Sequence, residues 1–501
     1  MLVGKLLHNQ EHYHTFFNDQ GRHNHATHHL FALYGLGASA DLIEAAYAIH
    51  MTYLTPVIHS PHAITDDNFV EHLGDDEYYN AYHAYFSNYL SNHTMTEAVE
   101  NYIFAPEYNY IPGAKKQPEM LNRCLASLIH PFIHIGYGVE FEVKGQLAEG
   151  LAMTAVHPTD QTPLVPYSLF SSHQGFSAAS TTSLLSHLGS VTLADGAKSS
   201  ITPRPTFSLY QRILEEPAFE QVVPLTVIDK YEHIVENQGD LIHKLVTEWY
   251  DAWLEGVQTR QDAEARLEAM VEEVVWAHVM IYGVGGFAGP GIEPAREINA
   301  DFFIMHIVTS ALFLPSFLLP DSPTALTPPL SLTNRFLLLR TFVSVSIGWY
   351  ISRGRPALPI VSFYAATEKH LSVPSPPQPL HRDPPRRKNP PPTNGTPLPK
   401  GPLPSGASPW LRIIQNALVH PVEHLVKLQR VLAFFAVKYG GREQGHFAGA
   451  ALEGAEKLDG TLFLRAAGLT MDRLGRANEG VQLDIWDYEG FFDVDHPEDK
   501  E

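Results

Sequence analysis

Apolar positions along the chain recur with the period of a helix, not the alternation of a strand, wherever the pattern is strong. From Gly21 the stretch GRHNHATHHLFALYGLGASADLIEAAYAIH spaces Leu30, Leu33, Tyr34 and Leu36, then Leu42, Ile43, Ala46, Tyr47 and Ile49, as two helices punctuated by Gly35 to Ser39. The start, MLVGKLLHNQEHYHTFF, reads as an ordinary helix start; its apolar run is too short for a signal peptide. Further helices are predicted over Asp75–Leu90 and Thr96–Phe104. After a loop bearing Tyr and Pro to Gln117, helix resumes at Pro118 and continues past Leu147 to His157. Residues 158–205, rich in Ser, Thr and Pro, read as a long, partly ordered excursion. The helical period returns at Ile213 and is strong over Leu241–Gly256 and Ala263–Tyr282.

The most membrane-like run, FFIMHIVTSALFLPSFLL from Phe302, holds His306 and Pro315 and follows Asp301, so it reads as a buried core helix broken near Pro315 and not as a span. Phe336–Ile351 is apolar and β-branched. Helix restarts at Trp410 with WLRIIQNALVHPVEHLVKLQRVLAFFAVKYGG, where His420, His424 and Lys427 at i, i+4 and i+7 are expected on one face. Between these, residues 371–409 hold 14 of the chain's 38 prolines, a composition that cannot bury enough apolar surface to offset the entropy of ordering. The expected organisation is mainly α: one large helical domain over 1–370 and 406–490, a disordered Pro-rich insertion over 371–405 outside the core, and an acidic, frayed tail over 491–501.

Composition narrows the function. A formal net charge of -21 leaves no basic face for phosphates and argues against nucleic acid. The single cysteine, Cys124, excludes disulfides within the chain and thiolate-held metals, and it points to a reducing, intracellular (cytoplasmic) compartment. Histidine is abundant, at 28 residues, which directs attention to metal chemistry. In HPFIHIGYGVEF, His130 and His134 lie four apart in an apolar run without charge between them, so on a helix both imidazoles project from one face. His25 and His28 lie three apart in the first histidine-rich helix, and His306 lies in an apolar helix.

Several other chemistries fail on the letters. There is no HExxH for a zinc hydrolase and no G-x-S-x-G nucleophile elbow. His-x-Asp occurs at His381 to Asp383, inside the Pro-rich stretch. Glu-x-x-His at Glu11/His14 and Glu443/His446 falls in terminal and Gly-rich segments, poor settings for a di-iron bundle. Gly283 to Ala288 has the GxGxxA form of a dinucleotide fingerprint, but Pro290 and Pro294 stand where the phosphate-binding helix would begin. What remains is histidine on apolar helices without an obvious acidic partner.

NHATHH with FAL and LGAS at Asn24 to Ser39, HPFIHIGYGVEF at 130–141, DFFIMH at 301–306, SRGRPAL at 352–358 and EHLVKLQRVL at 423–432 together resemble the questin oxidase-like family of fungal polyketide oxygenases. The likeness runs from about residue 20 to 435, with the motifs in order; the Pro-rich stretch departs from it. The resemblance implies oxidative cleavage of an anthraquinone-type ring in secondary metabolism, with an aromatic polyketide and dioxygen as substrates. Two chemistries are attached to the family: NADPH-linked Baeyer-Villiger oxidation, and ring opening by a mononuclear non-heme iron dioxygenase whose Fe(II) is held by four histidines and a carboxylated lysine. Carried over, one ligand comes from each histidine segment: His28, His134, His306 and His424, with Lys427 as the fifth and His25 and His130 in reserve. A lysine buried among apolar residues has a depressed pKa, and the neutral amine can take up carbon dioxide as a carbamate, which supplies the missing anion. Tyr137, Arg353 and Arg355 are candidates for steering phenol groups, the arginines having the alternative of capping a helix end. A non-catalytic carrier of hydrophobic ligands is the competing class.

Overall fold

The computed structural model describes residues 1–18, 21–171, 204–220, 226–290, 297–371 and 408–491. Its principal helices are α1 (Leu2–His12), α2 (Ala26–Gly35), α3 (Ala40–His50), α4 (Tyr79–Asn92), α5 (Met120–Glu140), α6 (Lys144–Val156), α7 (Val227–Leu254), α8 (Arg260–Gly283), α9 (Phe302–Ala311), α10 (Leu332–Ser352), α11 (Glu423–Tyr439) and α12 (Leu462–Leu474). Among the described residues there is no β-sheet, only four isolated bridges. No helix among them is long and apolar enough to cross a membrane. The apolar run from Phe302 breaks where its proline requires: α9 ends at Ala311, and a short helix restarts at Leu314 with Pro315 in its first turn. Residues 172–203 of the Ser/Thr/Pro excursion, 372–405 of the Pro-rich insertion and 492–501 of the acidic tail lie outside the described residues.

Two long runs expected to be continuous are interrupted, and the first, Pro118–His157, also divides at 141–143 into α5 and α6. In α5 the backbone leaves the helix at Ala126 (ψ 168°), and Ser127, Leu128 and Ile129 take left-handed φ values of 46°, 59° and 62°. For residues with a Cβ this conformation costs on the order of 1–2 kcal/mol each. Helix restarts at His130, which puts Pro131 in a first turn, where its missing N–H deprives no carbonyl of a partner. The second interruption, at Leu418–Val422, separates a helix ending at Ala417 from α11. His420 falls in this break, its Nδ1 accepting from the Val422 N–H, and therefore does not share a helical face with His424 and Lys427.

The centre of the molecule is a bundle in which α9 packs on α5 and α11, and α2 packs on α11 and α5. The second half of α5 and α6 approach closely because glycine faces backbone on both sides: a Cβ on Gly138 would lie 2.6 Å from the Leu147 nitrogen, and one on Gly150 would lie 2.7 Å from that of Ile135. The GxGxxA stretch closes α8 instead of opening a helix; a Cβ on Gly285 would lie 2.3 Å from the Ile281 carbonyl oxygen. That end of a helix offers carbonyls where a dinucleotide phosphate needs N–H groups.

Candidate metal centre

Four imidazoles from the four central helices meet. One nitrogen from each of His25, His130, His306 and His424 lies within 4.8 Å of the other three. Each ring is held from its far side. The left-handed turn before His130 leaves the Ser127 carbonyl unused by any helix, and it accepts from His130 Nδ1 at 2.6 Å. His306 Nδ1 donates to the Phe302 carbonyl one turn back, at 2.7 Å. Glu423, at the start of α11, serves two rings at once: its Oε1 is 3.1 Å from His424 Nδ1 and 3.5 Å from His25 Nδ1.

For His130, His306 and His424 these contacts place the ring proton on Nδ1 and leave the Nε2 lone pair bare, and the Glu423 charge favours the same tautomer of His25. His25 Nε2 and His130 Nε2 then face one another at 3.0 Å with no proton between them. His306 Nε2 and His424 Nε2 are buried without any hydrogen-bond partner. Converging, unprotonated imidazole nitrogens repel one another and cost free energy unless a cation is shared among them. The residues present therefore fit a late or redox-active metal ion.

The surroundings keep the rings neutral. Burial, reinforced by the positive groups nearby, lowers the pKa of His25, His130 and His306 well below the usual imidazole range and that of His424 to about 4. Lys427, one turn beyond His424, is only 1% exposed, and its Nζ has no hydrogen-bond partner. Burial depresses its ammonium to about 7, with Glu423 opposing. Glu423 itself titrates well below ordinary carboxylates: burial would raise it, but His424 and then Lys427 more than reverse that.

Of the ligands expected from the sequence, His306 and His424 lie in this cluster with Lys427 beside them, whereas the members of the first two pairs are exchanged. His25 and His130 converge with His306 and His424. His28 and His134 instead bond to each other, Nε2 to Nδ1 at 3.0 Å, and His134 Nε2 donates to Glu149 at 2.9 Å. His130 and His134 share a face of the restarted helix and His25 stands as N-cap of α2 just before His28, so the two pairs run side by side, His25 against His130 and His28 against His134, and His306 and His424 meet them at the His25–His130 end.

The three residues expected to steer substrate are occupied elsewhere. Tyr137 is fully buried between Phe31 and Phe313, with Arg430 over its ring. Arg353 is sealed in the interior, its Nε and Nη2 donating to Asp301 Oδ2 at 2.9 and 2.6 Å. Arg355, at φ 46°, donates to the carbonyls of Ile213 and Glu216 and caps the helix Pro205–Glu215. Arg353 still bears on the site indirectly, because Asp301 Oδ1 caps α9 through the Phe303 and Ile304 N–H groups and so fixes the helix that carries His306. The roles of Glu423 and Asp301 were missed in the sequence. Both had a signal: an acid directly before a candidate ligand at a helix start, and an Asp directly before an apolar helical run.

Comparison with known proteins places these features in a lineage. The family model described as questin oxidase-like matches residues 22–432. A Baeyer-Villiger monooxygenase of Cryptosporiopsis sp. is 24% identical over 360 residues, 70% of each chain. A Baeyer-Villiger oxidase of Pestalotiopsis microspora is 25% identical over 368 residues, again 70% of each chain. The questin oxidase of Aspergillus terreus is 27% identical over 152 residues, 30% of this chain and 33% of that protein.

Proposed function

The chain belongs to the questin oxidase-like family, and from that premise we propose that it is an oxygenase that opens a ring of a hydroxylated anthraquinone-type polyketide with dioxygen, at a mononuclear non-heme iron held by His25, His130, His306 and His424. The observation that carries this reading is the set of four rings whose Nδ1 atoms face local acceptors while their Nε2 lone pairs converge without protons. Bound there, iron would supply the electron transfer that lets ground-state dioxygen react with a closed-shell aromatic ring. The chain's own residues do the rest. Glu423 and the Ser127 and Phe302 carbonyls fix the tautomers, and the apolar helices exclude water from the inner side of the cluster.

Lys427 completes the set as a carbamate in this reading. Its neutral Nζ attacks the carbon of carbon dioxide, a C–N bond forms, the nitrogen releases a proton to solvent, and one C–O π pair becomes the carboxylate charge. Counting the ammonium proton lost beforehand, two protons leave, and a buried, unpartnered cation gives way to a carboxylate that would offer a metal an anionic oxygen. The names of the relatives favour a second reading, a Baeyer-Villiger-type monooxygenation with NADPH as reductant. The experiment is metal analysis of the purified protein, followed by anaerobic Fe(II) loading and oxygen uptake with and without NADPH. About one iron per chain and NADPH-independent uptake that places both atoms of labelled dioxygen in the product are expected. Turnover by metal-free protein overturns the iron reading, and strict NADPH dependence with one labelled atom favours the second.

A further inference from the structure

Exposure around the histidine cluster is graded and gives the direction of access. His306 and Lys427 are sealed, whereas the side chains of His424, His25 and Glu423 are 7%, 11% and 22% exposed. Tyr488, 45% exposed, lies within the field of Glu423. Its ring lies 4.9 Å from that of Phe302 at an angle of 32°, and the Phe302 ring in turn lies 4.6 Å from His306 and 4.8 Å from His424. Arg22 and Glu423 are the charged groups that act on the Tyr488 hydroxyl.

Tyr488 is carried by a C-terminal strap that lies outside the residues matched by the family model. The strap is pinned on both sides of it. Asp487 accepts from the Ala300 N–H and from Arg473, and its carbonyl accepts from the Phe302 N–H. The Tyr488 carbonyl accepts from Arg353 at 2.6 Å, and the Phe491 N–H donates to the Arg353 carbonyl at 2.9 Å. So firm a backbone around a half-bare aromatic side chain holds a flat apolar face, with a hydroxyl at its edge, against Phe302, the ring that touches both His306 and His424. Aromatic rings take such a face in offset or tilted stacking.

We infer that the C-terminal strap completes the substrate site, with Tyr488 backed by Phe302 as the platform on which a planar phenolic ring lies when it reaches the histidine centre. This deepens the proposed function and rests on it. The test is anaerobic titration of the iron-loaded full chain with 1,8-dihydroxyanthraquinone, followed by difference absorbance, for the wild type and the variants Tyr488→Ala, Tyr488→Phe and Tyr488→Trp. Iron content and melting temperature are measured for each. Loss of the ring in Tyr488→Ala is expected to weaken binding about tenfold, with iron content unchanged; Tyr488→Phe and Tyr488→Trp, which keep a ring, are expected within about threefold of wild type. Equal affinity of wild type and Tyr488→Ala overturns the platform alone. A wild type that holds iron and binds no hydroxyanthraquinone overturns the proposed substrate class and the platform with it. Loss of iron from Tyr488→Ala would make the residue part of the metal-holding framework and overturn the assignment.

Discussion

Lys427→Met in the metal-free protein isolates the energy held in the buried amine. The side chain is 1% exposed, its Nζ has no hydrogen-bond partner, and burial takes its pKa from 10.5 to about 7. At about 1.36 kcal/mol per pH unit, that fall corresponds to on the order of 5 kcal/mol of preference for the neutral form in the folded chain. The sign follows from proton counting. Between about pH 7 and 10.5 the unfolded chain binds the lysine proton and the folded chain does not, so stability rises with pH across that window. Below about 7 both states are protonated and the penalty is fully present. Methionine fills a similar apolar volume and has no such penalty. Denaturant melts of chelated wild type and Lys427→Met, in carbon-dioxide-free buffer from pH 6 to 10, should show the variant more stable at low pH and the gap closing as pH rises above about 7. Taking the difference between the two proteins cancels the titration of the surrounding imidazoles to first order. Bicarbonate at pH 8 should stabilise wild type and leave the variant unmoved, since only a neutral amine captures carbon dioxide. Parallel pH profiles for the two proteins would refute the argument.

Two further perturbations address the framework. Glu423→Gln keeps an acceptor beside His25 and His424 but removes the charge that fixes both tautomers, so metal affinity measured by competition with a chromophoric chelator should fall about 10- to 100-fold; unchanged affinity would mean that the carboxylate plays no part in holding the rings. Arg353→Leu leaves Asp301 buried without its cation and should destabilise the fold by about 3–5 kcal/mol in urea melts, with reduced metal content because α9 loses its anchor; a change under about 1 kcal/mol would contradict the buried-pair reading.

The helices were legible in the sequence because apolar period and punctuation agreed along most of the chain. So was the residue set from which the site is drawn, since histidines stood out in apolar runs. What the pattern left open was which member of each pair meets His306 and His424: His130 and His134 share a face of one continuous helix, but the four-ring cluster lies at its start, just after three left-handed residues, and at the start of α2, where His25 is the N-cap. Nothing in Ser127-Leu128-Ile129 announces that conformation: none of the three is a glycine, and β-branched Ile129 is a residue least suited to it. His420 left the expected face because the chain breaks between Ala417 and Glu423 and the helix beyond is realigned. Of the two readings open for the arginines of Ser352–Pro359, Arg355 takes helix-end capping and Arg353 pairs with Asp301; the sequence does not choose between them because these partners are distant along the chain and become neighbours only in the fold.

The scatter of the four clustered histidines along the chain has, under the proposed metal-site reading, a consequence for how the protein comes into being. His25 and His130 are 105 residues apart, and the other two come from still later segments, with Glu423 beside the last. A nascent chain therefore carries no local chelating motif, and no partial product of synthesis presents the full nitrogen set. In the proposed reading, metal capture follows the docking of α11 onto α2 and α9, which ties loading to a long-range step of folding. A binding energy that only the finished topology can collect acts as a clamp between the first and last quarters of the polypeptide. Starvation for the metal should then show as poor yield of folded chain before it shows as poor catalysis.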